Sequence, residues 1–389
     1  MAVITDLPCE IMVHILGALG HVRALSPARL VCRHFEASFR ENRTRVLRNL
    51  LQTQIHEELL PYAIALEIDK PAIGSSSLTN LIQTIYEKPE GICSQLDQLP
   101  VEKLYSISRT HEAIEVLVGE FSQLAWLFAL TPPFRPGYSL PEAYISATEN
   151  ARIFRAFYRV ELFLRIYGQA LEDPESEVPR SDGPIWFYGQ HNPWECHQIL
   201  AVYEFLDDTI SIASDRLAKS SLSGTGAALY YQFAENVFSI AAGLRHVHQI
   251  RKKFPSSASS QEMESAFSDM VVLPWLDPLA TRHNCDLSGY SDHNDSLMTG
   301  LPRSNPDYSY RDNAIKENWT ATYSHRQGTP HEGEMRLLRK AGFVFWDQPC
   351  KERELCPMTS IFNFLSTQAE GSDGSEFDFD EDMIDALVA

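Results

Sequence analysis

Four stretches of this 389-residue chain hold residue types and spacings that could do chemistry. In FLDDTIS, Phe205 to Ser211, the adjacent carboxylates of Asp207 and Asp208 fall on an expected helix, where paired acids can hold magnesium against a diphosphate. Such a set calls for a further acid three residues after the second Asp, but Ser211 stands there and the next acid is Asp215. HEAIE, His111 to Glu115, begins like a zinc-binding helix with one ligand per turn, yet Glu115 occupies the second histidine's place. GYSDH, Gly289 to His293, lacks the closing glycine of a nucleophile elbow and follows no evident strand. WFYGQHNPWECH, Trp186 to His197, would need Cys196 with His191 or His197 plus distant ligands to bind zinc, and adjacent Cys-His rarely aims both groups at one ion. No catalytic residue, metal or cofactor is therefore assigned. The alternative is a helical enzyme with Asp207 and Asp208 as metal ligands.

The same aromatic-rich stretch can be read in two other ways. Packing in the core is the first reading for Trp186, Tyr188 and Trp194, because Trp and Tyr bury a large area while their polar tips find partners. Recognition of a target protein is the second. Phe343 and Trp346 in GFVFWD, Gly342 to Asp347, are treated alike: core first, substrate binding second.

The elements that must position these groups read as helices throughout. Candidates are 50–66 and 78–86, split by KPAIGSSS, then 101–130, ended by TPPFRPG. In 149–171, Ile153, Phe157, Val160, Leu164, Tyr167 and Leu171 recur at helical spacing. Further helices are expected at 194–217 and 227–254, a long surface loop at 276–313, and short helical pieces around GFVFWD, the one passage that could be a buried strand. There is no βαβ rhythm, no sustained alternation, and no leucine-rich or propeller repeat. The expected fold class is all-α.

Bulk properties narrow the function classes. Hydrophobic residues at 44% and charged residues at 22% fit a globular protein. A net charge of −19 argues against nucleic-acid binding, which needs clustered Lys and Arg. The stretch 370–389 holds eight acids and no base, leaving about −11 for the remainder. Seven scattered cysteines fit a reducing compartment better than a disulfide scaffold. The opening residues lack a basic region and are interrupted by Asp6, Glu10 and His14, unlike a signal peptide. No apolar run approaches the roughly 18 residues that a membrane span needs. The expectation is a soluble protein of the cytoplasm, the nucleus or both, with the sequons at Asn42, Asn294 and Asn318 as chance matches.

The densest apolar pattern is TDLPCEIMVHILGALGHVRALSPARLVCRHF, Thr5 to Phe35. Pro8 suits a first helical turn, and Ile11, Ile15 and Leu19 follow at i, i+4, i+8, with Met12 and Leu16 widening that face. Gly17 is an interior weakness of ~1 kcal/mol relative to alanine, and Gly20 is a natural stop. Ser26-Pro27 reads as a helix restart, with Ser as N-cap and Pro at the first helical position. Val31, Phe35 and Phe39 repeat the four-residue spacing. Helices this short cannot bury all these side chains against one another, so part of the surface must meet the rest of the chain or another protein.

Leu7-Pro8-x-Glu10-Ile11, Ile15-Leu16-x-x-Leu19, Leu25 and Leu30-Val31-Cys32-Arg33-x-Phe35 together resemble the F-box, with Phe35 where many members have Trp. The resemblance covers residues 4 to about 45. It implies a helical hairpin that docks on a Skp-type adaptor and, through it, a cullin in a ubiquitin ligase. Leu7, Pro8, Ile11, Ile15, Leu16 and Leu19 would make the first-helix contacts, and Leu30, Val31, Cys32 and Phe35 the second patch and local core. His21, Arg23 and Arg33 would be rim charges. The implied organisation is an F-box at 1–45, a large irregular helical domain at 46–365 that presents an unknown protein substrate, and an acidic, disordered tail at 366–389. The implied function is a substrate receptor without chemistry of its own, with neither nucleic-acid nor membrane partners. An adaptor-bound regulator that recruits no ubiquitylation target is the other implied role.

Overall fold

A computed structural model describes residues 7–68, 75–130, 145–172, 187, 191–221, 243–253, 332–347 and 361. Of the described residues 82% are helical and none lies in a strand, so the chain is all-α. Trp186, Tyr188, the loop at 276–313 and the tail at 366–389 lie outside them.

The chain divides into two compact units, Met1–Glu115 and Val116–Ala389. The boundary expected at residue 45 does not coincide with this division, because the N-terminal helices share their core with later ones. In the first unit α1 (Cys9–Gly17) leads through a 3-10 turn (Val22–Ala24) into α2 (Leu25–Leu30), α3 (Arg33–Glu41) and α4 (Arg43–Gln54). Then come α5 (Leu60–Ala65), α6 (Ser75–Glu87), α7 (Pro89–Cys93), a 3-10 turn (Ser94–Gln98) and the first half of α8 (Val101–Leu130). The helix expected over 50–66 is two, since the chain is extended at Ile55 and turns before Leu60. Met12, Val13 and Leu16 of α1 meet a core that includes Val46, Leu47, Leu50 and Leu51 of α4.

Gly17 is what lets α1 approach α4. A Cβ on it would lie 2.9 Å from Asn49 Cβ, closer than two carbons tolerate. The glycine read as a weakness in the sequence is thus a contact point. Gly20, with φ +77°, turns the chain two residues after Ala18, the C-cap that ends α1. Ser26, by contrast, is not an N-cap: the 3-10 turn runs directly into α2, whose N-cap is Ala24. Pro27 is tolerated there because first-turn N–H groups have no intrahelical acceptor.

The second unit contains the rest of α8, then α9 (Ala147–Glu172), α10 (Pro193–Ser221), α11 (Leu244–Lys253) and α12 (Glu332–Lys340). The α8 bounds match the expected 101–130. This helix is long and apolar enough to cross a membrane by length and composition, yet 61% of its most apolar stretch is buried within the protein, as in a core helix. A capping box starts α9: Ser146 N–H donates to Glu149 Oε2 at 2.7 Å, and Glu149 N–H donates to Ser146 Oγ at 3.1 Å. Asn192, Pro193 and Glu195 start α10 in a related way, with Asn192 N–H donating to Glu195 Oε2 at 2.9 Å.

GFVFWD is a turn and not a strand. Gly342 N–H bonds to Arg339 O and Phe343 N–H to Leu338 O, a Schellman closure of α12 with Gly342 at φ +68°. A Cβ there would come 2.9 Å from the Trp346 ring. Side chains take the hydrogen bonds a strand partner would supply: Arg152 donates to Phe345 O, Gln198 to Val344 O, and Glu149 accepts from Asp347 N–H.

Two glycine substitutions should separate packing from propensity in thermal or urea melts. Gly17→Ala should destabilise by ~1–3 kcal/mol through overpacking against Asn49. Gly119→Ala, whose Cβ would enter open space on α8, should instead stabilise by ~0.4–1 kcal/mol.

Candidate functional site

The N-terminal hairpin carries four of the five large apolar side chains exposed among the described residues: Ile11 (44%), Ile15 (37%), Leu30 (84%) and Val31 (66%). The remaining one, Val116, lies in the second unit. α1 has two apolar rows, and α4 covers the row of Met12 and Leu16, so Ile11 and Ile15 face outward. Pro8 is exposed as well, while Leu7, Leu19 and Cys32 are half-buried. Leu16 and Phe35 are buried and have no surface to offer a partner, which corrects the docking role expected of them. They belong to the local core because α3 and α4 close over them.

Leu30 and Val31 stay outward because charge pairs fasten α2 to α3. Arg29 donates through Nε to Glu36 Oε2 at 2.6 Å and through Nη2 to Glu36 Oε1 at 3.0 Å, a two-pronged pair. Arg40 Nε donates to the same carboxylate at 2.6 Å, and the Arg29 guanidinium sits 4.4 Å from the centre of the Phe39 ring. Hydrogen bonds from Arg29 and Arg40 hold the Glu36 carboxyl down to about 2. Cys32 is extended between the helices. His34 Nε2 contacts Leu7 O at 3.0 Å, and Asn42 Nδ2 donates to Cys9 Sγ at 3.5 Å, seating α3 and its end against the start of α1.

Arg29 and Glu36 were not singled out in the sequence, and Asn42 only as a sequon. The i, i+4 spacing of Glu36 and Arg40 was a readable signal. The Arg29–Glu36 pair was not, because it crosses a helix break. Of the expected rim charges, His21 Nε2 lies 3.9 Å from Glu115 Oε1, and His111 Nε2 lies 3.7 Å from the same oxygen.

The second unit places Trp194, Phe343 and Trp346 in its core. Phe343 and Trp346 are fully buried and Trp194 is 9% exposed, so they are core residues and not a substrate-binding surface. Trp346 packs edge-on to Trp126 at 5.9 Å and donates Nε1–H to Ala341 O. Phe187 packs on Phe163 and on the buried His191 ring.

Buried charges here are matched to one another. Arg159 pairs with Glu195, and Arg339 binds Glu204 through three hydrogen bonds of 2.6–3.1 Å. Glu161 pairs with Arg165 at 2.6 Å and accepts the Leu244 N–H at 2.7 Å. Asp208 is held by Arg336 at 3.2 Å and Lys340 at 2.9 Å, so its carboxylate ties α10 to α12. Among the described residues no three His, Cys, Asp or Glu side chains are grouped to hold a metal ion.

Three buried histidines set a pH dependence. Burial pushes His111 down to about 4, partly offset by a hydrogen bond with the Gln54 backbone. Burial, then the nearby Arg339 charge, pushes His197 down to about 3, and burial and Arg159 push His191 down too. Below their ordinary value of 6.5 the unfolded chain binds protons that the folded chain refuses, so stability is lost as pH falls. Each such histidine contributes up to ~1.4 kcal/mol per pH unit until its folded value is reached. The urea midpoint should therefore fall steeply from pH 7 to pH 5, and His111→Gln should flatten the decline.

No protein-family model, curated protein or solved structure matches this chain.

Proposed function

We propose that the N-terminal hairpin is an F-box and that the protein is the substrate-receptor subunit of a Skp–cullin–F-box ubiquitin ligase. The observation that carries this reading is the coincidence of motif and exposure. Ile11, Ile15, Leu30 and Val31 stand at motif positions and are also the large apolar side chains left uncovered among the described residues of the first unit. An apolar centre with Pro8 beside it and charged residues at the rim is the anatomy of a protein-binding surface. The receptor acts by proximity: it holds a target where a ubiquitin-loaded conjugating enzyme works, raising the effective concentration of the reacting groups. Trp194, Phe343 and Trp346 are buried, so target binding on this reading uses other surfaces of the chain.

The test is co-purification of the full chain with a Skp-type adaptor, wild type against a variant carrying Ile11→Ala, Ile15→Ala, Leu30→Ala and Val31→Ala. All four positions are exposed, so the thermal melt should change little, by ~0.5 kcal/mol or less per site. Adaptor affinity should fall ~100-fold or more, because losing about 1 kcal/mol at each contact multiplies. A wild-type chain that fails to bind the adaptor sinks the reading.

A further inference from the structure

Ser26 stands in the sequence Ser26-Pro27-Ala28-Arg29. The chain has three Ser/Thr-Pro dipeptides, at Ser26, Thr131 and Thr329. Three residues further on, Thr131 has Phe134 and Thr329 has Glu332, and Ser26 alone has a base. A serine followed by proline and then a base in that place is the substrate pattern of proline-directed protein kinases. Ser26 and Pro27 are both exposed.

Their setting also favours an enzyme that must draw its substrate out as an extended strand. α2 is six residues long and Leu25 is its one buried side chain, so opening 26–30 uncovers little apolar surface. A helix of that length has little stability of its own, and Pro27 brings no N–H to it.

We propose that Ser26 is a phosphorylation site for a proline-directed kinase and that a phosphate there closes the docking surface. The effect on docking rests on the F-box reading, while the modification itself does not. In the transfer, Ser26 Oγ forms a bond to the γ-phosphorus of ATP, and the bond from that phosphorus to its β,γ-bridging oxygen breaks. ADP leaves with the electron pair, and the hydroxyl proton passes to the kinase's base.

The product carries a charge of about −1.5 to −2 one helical turn before Arg29. That arginine is already engaged, holding α2 to α3 through Glu36 and Phe39. A phosphate so close competes with Glu36 for the guanidinium, and Glu36 keeps Arg40 as its other partner. The fastening between the helices loosens, and Leu30 at the end of α2 and Val31 just after it lose their fixed presentation. A partner covering that patch would also have to strip water from the phosphate beside it, which acts in the same direction.

The experiment uses the full-length chain with a purified proline-directed kinase and magnesium-ATP, with Ser26→Ala as control. One phosphate should appear on the peptide containing Ser26 and be absent from Ser26→Ala. Amide hydrogen exchange across 30–36 should then quicken ~10-fold, and affinity for a Skp-type adaptor should fall ~10-fold or more. Glu36→Gln should quicken the same amides without phosphate, since it removes the competing carboxylate. Absence of phosphate at Ser26, under conditions that label a control Ser-Pro peptide, overturns the proposal. So does a phosphate that leaves exchange across 30–36 unchanged, or one that leaves adaptor affinity unchanged. If the unmodified chain does not bind the adaptor at all, the F-box reading fails. The labelling and exchange results then still decide whether Ser26 is a site that controls this hairpin.

Discussion

A nine-residue helix with two apolar rows can turn only one of them inward, and the close approach of α1 to α4 at Gly17 decides which. With no Cβ between them, the backbone of α1 comes within van der Waals reach of Asn49. Met12, Val13 and Leu16 then fill the space over α4 while Ile11 and Ile15 are left outside. The rest of the hairpin is hung on that seat. His34 and Asn42 tie α3 and its end to the first residues of α1, and Arg29 and Glu36 tie α2 to α3. The outward row of α1 and the Leu30–Val31 corner are therefore fixed by packing and charge together.

The second unit is organised differently, around charges taken out of water. Arg152, Arg159, Glu149, Glu161, Glu195 and Arg339 are all buried, and each has its carboxylate, arginine, backbone or side-chain partner close by. Such pairs gain little over apolar packing, but removing one member leaves a buried charge unmatched and is strongly destabilising. They also brace the passage 341–347. Arg152, Gln198 and Glu149 reach its backbone from α9 and α10, the Schellman turn begins it, and the Trp346 ring covers Gly342. These acids therefore serve packing and helix starts.

Together the two units show surfaces of different kinds. The hairpin leaves apolar side chains uncovered on and beside a short helix, whereas Trp194, Phe343 and Trp346 of the second unit are spent on the core.

Local signals in the sequence determined the all-α class, the span of α8, the apolar face of α9 around Ile153, Phe157, Val160 and Leu164, and the density of apolar residues in the hairpin. These depend on neighbours within a turn or two, where periodicity and backbone preference act directly. Tertiary structure alone decided which row of α1 is covered, why Gly17 is a glycine, that Ser26 lies inside a helical turn, and that the compact division falls after Glu115 and not near residue 45. It also decided that GFVFWD turns and that Asp208 meets Arg336 and Lys340. Each of those outcomes depends on a partner far along the chain, and an apolar or charged residue has the same local signature whether that partner covers it or not.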